Sequence, residues 1–340
     1  MKIQQQTAVL LINLGTPDSP STSDVRRYLT EFLNDPRVID ISPLGRAVLV
    51  NGVIVPFRAP RSAKLYKEIW DENGSPLLFH SLALKDSLQE MAGEEYHVYL
   101  AMRYGNPSLK TTLETIRKKG FTRLLVLPLY PQYASSTTGS SIEKFFKCIS
   151  HWETLPEIKT VQSFYQHPAY LDAVCRTAAP YDLKSYDHIL FSFHGIPERH
   201  IRKSDISGVC LKDSCCEQIH AGNHLCYKAG CTYTARMVAK HLGIPQDSYT
   251  ICFQSRLGKT PWIKPYSDLV IKSLAEKGAK KLLVFSPAFV ADCLETVHEI
   301  GVEYDELFQE HGGEKVTLVP SLNASPAWVE ALHKIIKENC

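Results

Sequence analysis

Short, almost wholly apolar runs recur along the chain, and each ends close to a glycine or a proline. They are Ala8–Leu14 before Gly15, His97–Arg103 before Gly105, Arg123–Leu129 before Pro131, His188–Phe193 before Gly195, Tyr249–Arg256 before Gly258 and Lys281–Phe285 before Pro287. Runs of this kind, with little apolar–polar alternation, predict strands buried on both faces, as in a parallel sheet. Between them, apolar and charged positions follow helical spacing over Ser23–Leu33, Leu82–Met91, Leu109–Lys119, Pro261–Lys277 and Pro326–Glu338. Strands separated by helices predict βαβ units and an open α/β sheet.

The order of elements repeats. Val9–Pro17 (VLLINLGTP) resembles Ile189–Pro197 (ILFSFHGIP), and Met102–Pro107 (MRYGNP) resembles Gln254–Pro261 (QSRLGKTP). Arg123–Tyr133 (RLLVLPLYPQY) resembles Lys281–Asp292 (KLLVFSPAFVAD). Three elements in one order, twice, predict two related α/β domains, expected at residues 1–170 and 171–340. Open α/β sheets bind ligands beyond the carboxyl ends of their strands, so the site is expected there, in a cleft between the halves.

Composition narrows the class only a little. A chain of 340 residues exceeds one comfortable core, which fits two domains. Apolar residues at 44% and charged residues at 22% are those of an ordinary soluble protein. With 38 Lys plus Arg against 36 Asp plus Glu, the net charge of +2 gives no reason to expect nucleic acid. The apolar run Ala8–Ile12 is too short for a secretory signal. No stretch approaches the ~18 apolar residues of a membrane span. A cytoplasmic location is therefore expected, where clustered thiols point to metal or redox chemistry rather than structural disulfides.

Several features carry candidate chemistry. His194 stands at a predicted strand end beside Gly195, which permits close approach. Glu295, Glu299 and Glu303 fall four apart, which places them on one face of a helix. That row reads either as a solvated acidic face or as a path for metal ions or protons. Pro131–Ser141 is rich in hydroxyls and runs into a predicted helix at Ile142–Cys148, as an anion site or a simple N-cap would. The stretch Gly258–Thr260 (GKT) lacks the earlier glycine of a phosphate-binding loop. The segment Val38–Phe57 is unusually apolar; Pro43 and Gly45 argue against one rigid helix in its first half, while Arg46–Val55 suits a short one. It reads as a buried core helix or as a flap over a ligand or a membrane-facing lip. Five of the ten cysteines, Cys210, Cys215, Cys216, Cys226 and Cys231, crowd one window spaced C-x4-C-C-x9-C-x4-C. That spacing matches neither a zinc ribbon nor a common ferredoxin, and leaves an iron–sulfur cluster, zinc and a cysteine-rich loop open.

Taken together the motifs resemble the ferrochelatase family. The resemblance rests on Phe191–Pro197 (FSFHGIP), Phe253–Tyr266 (FQSRLGKTPWIKPY) and Phe285–Ile300 (FSPAFVADCLETVHEI), with Asn13–Pro20, Ala59–Trp70, Met102–Leu109 and Leu127–Ser140 in the first half. It spans essentially the whole chain. It implies two Rossmann-like domains with parallel sheets flanked by helices, related by an internal pseudo-repeat. It implies insertion of ferrous iron into a porphyrin dianion to give heme, with two protons released and no nucleotide. His194 and Glu295 match the catalytic pair, with Glu299, Glu303 and Cys293 on an iron or proton path. Arg61, Ser62, Tyr130, Ser136 and Trp262 match porphyrin-binding positions. Residues 42–57 match a lip that covers the porphyrin and, in several members, touches membrane.

The resemblance also implies a 2Fe–2S cluster in the segment 210–231. Its expected ligands are Cys210, Cys215, Cys226 and Cys231, with Cys216 as an alternative and zinc or no metal as competing outcomes. His220 or His224 would favour zinc. The expected partners are porphyrin and ferrous iron, with no nucleic acid. Membrane contact is expected at most as a peripheral one, at the inner membrane through the lip. A monomer is expected in preference to a homodimer. The competing functional readings are a porphyrin or metal carrier without turnover, a cobalt or nickel chelatase, and a nucleotide-dependent oxidoreductase, the last opposed by the missing glycine fingerprint after Val9–Leu14.

Overall fold

The structure is a computed structural model that describes residues 6–205, 208–212, 214–258 and 260–340. Asp213 of the cysteine window and Lys259 of the Gly258–Thr260 stretch lie outside the described residues.

Two compact units divide the chain. The first comprises the chain up to Tyr130, Ser135–Gln162 and Leu332–Cys340; the second comprises Pro131–Ala134 and Ser163–Ala331. In the first unit, strands β1 (Thr7–Asn13), β2 (His97–Met102), β3 (Arg123–Pro128) and β4 (Glu157–Thr160) form a parallel sheet in the order β2-β1-β3-β4. Every residue of β1 is buried, as its unbroken apolar run requires when helices cover both faces. Leu10, Ile12, Val126, Leu113 and Phe145 share one core beside it.

The second unit repeats the plan. Strands β5 (His188–His194), β6 (Tyr249–Gln254), β7 (Lys281–Phe285) and β8 (Lys315–Leu318) form a parallel sheet in the order β6-β5-β7-β8. Its core joins Leu190, Leu282 and Val284 to Ile271, Ile300 and Phe308 on the flanking helices. Each buried side chain of this size contributes about 1.5–3 kcal/mol. The fold is the two-domain α/β arrangement with an internal repeat that the hydrophobic pattern predicts.

Strand registers shift the second match of the repeat by two residues, so that Arg103 no longer falls on Arg256. Asn13 pairs with Met102 in the first sheet, and Phe193 pairs with Phe253 in the second. The Met102 amide donates to the Pro107 carbonyl at 2.7 Å, and the Phe253 amide donates to the Pro265 carbonyl at 2.9 Å. Met102 therefore corresponds to Phe253, Arg103 to Gln254 and Pro107 to Pro265, with extra residues inserted in the second half. This tether also explains why the helix expected from Pro261 starts only at Ser267: the residues before it are hydrogen-bonded to β6.

The apolar segment is continuously helical rather than broken. Pro43–Ala47, Val48–Ile54 and Val55–Ile69 follow without interruption, the middle stretch widened to i→i+5 bonding. Pro43 occupies the first turn, where a missing N–H costs nothing, and the Ser42 hydroxyl caps the Gly45 amide at 3.3 Å. The Val55 amide reaches back to the Val50 carbonyl, and this widening lies directly before Pro56, which would otherwise crowd the carbonyl four residues back.

Candidate functional site

The carboxyl ends of the second sheet gather His194, Trp262, Cys293, Glu295 and Glu299 around β5, β6 and the segment after β7. His194 is the last residue of β5 and is half-buried. Its Nδ1 lies 2.6 Å from the Gly195 carbonyl oxygen. A carbonyl can only accept, so Nδ1 carries a proton, and Nε2 is the nitrogen left to exchange one. The Tyr227 hydroxyl donates to the His194 carbonyl at 2.7 Å, and the Trp262 and Phe289 rings stand 6.5 and 6.3 Å from the imidazole. A Cβ at position 195 would meet the Gln254 carbonyl at 2.8 Å and Trp262 Cε3 at 3.2 Å. The glycine is thus required by the neighbouring strand and by Trp262, whose own Nε1 donates to the Leu257 carbonyl at 3.0 Å.

Gln254 links His194 to the acidic segment. It pairs with His194 in the sheet and is 1% exposed. Its side-chain carbonyl accepts from Ser192 Oγ at 2.9 Å, which fixes the amide's orientation. Its Nε2 then donates to the Glu295 carbonyl at 2.7 Å and to Glu299 Oε2 at 3.1 Å.

Glu295, Glu299 and Glu303 lie on a widened i→i+5 helix, Leu294–Glu303, where residues four apart still share a face. The opposite face is packed inward through Thr296 and Ile300. The Glu299 carboxylate is saturated. Oε1 accepts from the Ser255 amide at 2.8 Å and from the Tyr304 hydroxyl at 3.0 Å; Oε2 accepts from Ser255 Oγ at 2.5 Å and from Gln254. Burial, and then the Glu299 charge, push the Tyr304 phenol well above its ordinary range, so it remains a donor. Glu303 is half-exposed, with His298 Nδ1 at 3.4 Å.

The start of this helix is locked in a reciprocal cap. The Cys293 sulfur accepts from the Thr296 amide while Thr296 Oγ1 accepts from the Cys293 amide at 3.0 Å. Burial and the adjacent Glu295 carboxylate drive the Cys293 thiol far above its usual pKa, so it is a neutral S–H hydrogen-bonded to Glu295. Asp292, buried beside it, accepts from Thr296 Oγ1 at 3.0 Å, the Ser321 amide at 3.1 Å and Asn323 Nδ2 at 2.7 Å.

The first unit carries the other four candidates. Ser62 is buried in the helix Val55–Ile69, whereas Arg61 beside it is exposed, so the two do not converge on one point. Tyr130 follows β3, and burial pushes its phenol well above the ordinary value. Its hydroxyl and those of Thr138 and Ser141 are buried without a well-formed hydrogen bond. Groups in that condition are completed by water or a ligand. Ser136 lies half-buried in the widened turn Ser135–Gly139. Arg37 steadies that turn, donating to Ser135 Oγ at 2.8 Å and to Glu143 at 2.5 Å. Lys147 and Arg37 together hold the Glu143 carboxyl down at about 2.

The cysteine window corrects the sequence reading. Among the described residues, no group of three or more His, Cys, Asp or Glu side chains is arranged to hold a metal ion. The expectation of a 2Fe–2S cluster on Cys210, Cys215, Cys226 and Cys231, with Cys216 in reserve, is thereby overturned, and zinc with it. The local contacts give the reason. Cys231 is fully buried on the helix Tyr227–His241 and hydrogen-bonds Tyr227. Cys215 Sγ lies 3.6 Å from Cys216 Sγ, and burial pushes the Cys210 thiol up to about 12, so it is protonated. His220 and His224 are engaged locally, His220 Nδ1 by the Gly222 amide at 3.1 Å and His224 Nδ1 by the Ala221 carbonyl at 2.8 Å.

Sequence reasoning missed Gln254, Ser255, Tyr304 and Tyr227 as parts of this site. Gln254 and Ser255 stood inside a quoted motif, and the strand register is the signal that singles them out. Tyr304 and Tyr227 carried none, because their roles arise from contacts between distant segments.

The family model described as ferrochelatase matches residues 6–340. A ferrochelatase of Legionella pneumophila (strain Corby) is 47% identical over 330 residues, covering 97% of this chain and 98% of the relative. A ferrochelatase of Coxiella burnetii (strain Dugway 5J108-111) is 44% identical over 342 residues, covering 100% of this chain and 95% of the relative. Among solved structures, SirB from Bacillus subtilis with Fe3+ superimposes with a TM-score of 0.55 at 13% identity, covering 98% of this chain and 95% of that one, a likeness of fold alone.

Proposed function

The chain belongs to the ferrochelatase family, and on that premise we propose how its residues insert ferrous iron into a porphyrin to give heme, a lyase reaction of heme biosynthesis. The observation that carries the proposal is the Gln254 link, which ties a histidine oriented through its Nδ1 to the backbone of Glu295 at the carboxyl end of one sheet.

The ring must lose two pyrrole protons while the hydrated ion sheds water. His194 Nε2 is suited to accept a pyrrole proton, since imidazole exchanges protons near neutral pH. The Glu295 carboxylate is suited to receive the ferrous substrate and release it, because oxygen ligands hold such an ion less tightly than thiolates. Cys293, as a neutral S–H against Glu295, orients that carboxylate rather than binding the ion. Of the acidic row, Glu303 is assigned to the approach path. Glu299, with both oxygens already occupied, is assigned to holding the helix in place.

Tyr130, Ser136, Ser62 and Trp262 are assigned to the porphyrin surface, and Arg61 to a peripheral carboxylate through charge-assisted hydrogen bonds. The apolar helix Pro43–Ile54 is assigned to covering the ring and to peripheral contact with a membrane, and the protein is proposed to act as a monomer in the cytoplasm.

Anaerobic mixing of ferrous iron and porphyrin, followed in the Soret and Q bands, tests the assignment. The wild-type chain is expected to form metalloporphyrin with multiple turnovers. His194→Ala is expected to abolish insertion while porphyrin fluorescence quenching persists. Binding without turnover by the wild type would instead favour a carrier, and near-normal insertion by His194→Ala would remove His194 from the mechanism.

A further inference from the structure

The segment between β7 and the widened helix Leu294–Glu303 is clamped by one side chain from the loop after β8. Asn323 Oδ1 accepts from the Asp292 amide at 2.9 Å, and Asn323 Nδ2 donates to Asp292 Oδ2 at 2.7 Å. A backbone N–H can only donate, so the carboxamide oxygen faces the Asp292 amide and its NH2 faces the carboxylate. The Asn323 amide adds a third bond, to the Val290 carbonyl at 2.8 Å. Asn323 holds this place at φ +51°, a left-handed backbone that asparagine tolerates better than most residues. Few side chains meet all these demands: aspartate lacks the donor, and glycine lacks both polar atoms.

The contacts run on into the helix. Asp292 Oδ1 accepts from the Ser321 amide at 3.1 Å and from Thr296 Oγ1 at 3.0 Å. Thr296 Oγ1 in turn accepts from the Cys293 amide at 3.0 Å. Thr296 is fully buried and Asp292 nearly so, which shields these bonds from competing water. Glu295 lies inside the turn that they close.

From this geometry we propose that Asn323 is a positioning residue for iron insertion, which sets the aim of the Glu295 carboxylate by clamping Asp292. The inference rests on the proposed role of Glu295. A carboxylate that receives an ion and passes it to a ring nitrogen has to be held to a fraction of an ångström by its supporting shell. Two supports converge on this turn from opposite edges of the sheet. Gln254, on β6, holds the Glu295 carbonyl at 2.7 Å, and Asn323, after β8, holds Asp292. Asp292 contributes to this support through its hydrogen bonds, so its negative charge can be moved to position 323 without loss of the aim.

The test exchanges the two partners. Asn323→Asp sets a second carboxylate oxygen against Asp292 Oδ2, and Asn323→Gly keeps the left-handed backbone but removes both side-chain bonds. Each single variant is expected to lower kcat for iron insertion by ~10–100-fold, with KM for porphyrin within about twofold of wild type. Asp292→Asn combined with Asn323→Asp rebuilds every bond with donor and acceptor reversed across the pair, and is expected to return kcat to within about threefold of wild type. Hydrogen–deuterium exchange of the Asp292 and Cys293 amides gives a readout that needs no turnover. Exchange is expected to quicken in both single variants and to return to the wild-type rate in the paired one.

Near-normal kcat in Asn323→Gly would overturn the proposal, as would porphyrin affinity falling in step with kcat. A paired variant that regains slow exchange but stays inactive would also overturn it, by showing that the charge at position 292 acts directly. Should Asn323→Asp fail to fold, Asn323→Gly carries the same comparison. A wild-type chain that inserts no iron would count against the proposed function itself, while unchanged exchange in Asn323→Gly would refute the clamp on its own.

Discussion

At the scale of single residues, the acidic row divides into unlike members. Glu295 presents its carboxylate beside a neutral thiol, Glu303 is half-exposed, and Glu299 spends all its acceptor capacity on Ser255, Gln254 and Tyr304. Ser255 is itself held at φ +64°, a left-handed backbone that the Glu299 contacts help to fix. Glu299→Gln would turn one acceptor oxygen into a donor facing another donor. The expected cost is about 1–3 kcal/mol of folding stability. Glu303→Gln, at the surface, is expected to change stability by less than about 0.5 kcal/mol. Urea unfolding of the two variants checks this, and equal midpoints would return Glu299 to the class of a free carboxylate. The regular spacing of the three glutamates was legible in the sequence, but their different duties were not. Spacing reports which face a residue occupies, whereas duty depends on donors from β6 and Tyr304 that only the folded chain brings near.

At the scale of elements, each half uses the residue at the end of its second strand to reach the element after its third. Gln254 reaches Glu295 and Glu299. Its counterpart Arg103 reaches Ser140 through Nε at 2.7 Å and also pairs with buried Asp35, which accepts from Tyr104 at 2.9 Å. The second half thus uses a neutral amide where the first uses a charge pair, and the widened helix Leu294–Glu303 hangs on that amide. Gln254→Leu keeps volume but leaves the Ser192 hydroxyl with Ser267 at 2.9 Å as its remaining partner and frees the Glu295 carbonyl. The expected result is a ~10–100-fold fall in kcat for iron insertion, as for a misplaced catalytic group, with little change in KM for porphyrin. A change confined to KM would show that Gln254 shapes binding instead. The six long strands and their succession along the chain could be read from apolar runs alone, whereas their order within each sheet could not. The edge strands β4 and β8 could not, because they are only four residues long and half-exposed, so water satisfies part of each and the apolar signal fades. The repeat was visible, but its register was not, since the insertion before Pro265 pulls a look-alike arginine, Arg256, out of true correspondence with Arg103.

At the scale of the whole molecule, exposed apolar side chains are distributed unevenly. Among the described residues, Ile41, Leu44, Val48, Leu49, Val53 and Phe57 lie within one short stretch, while the other large exposed apolar residues are scattered. Leu44 and Phe57 are 78% and 71% exposed. No helix among the described residues is long and apolar enough to cross a membrane. An apolar helical face of this size, followed by Arg58, Arg61 and Lys64, fits an in-plane interfacial contact with anionic lipid. The two most exposed side chains would each contribute up to about 1.5–3 kcal/mol if fully buried. Leu44→Ser combined with Phe57→Ser is therefore expected to weaken binding to anionic phospholipid vesicles by at least about tenfold, since 1.4 kcal/mol is one decade. Vesicle co-sedimentation of the wild type and the double variant measures it, with circular dichroism to confirm that the helix is retained. High salt should weaken the wild type as well, because the basic residues act through a screened field. If the double variant binds vesicles as strongly as the wild type, or the wild type does not bind at all, the lip is left with the porphyrin as its one proposed partner.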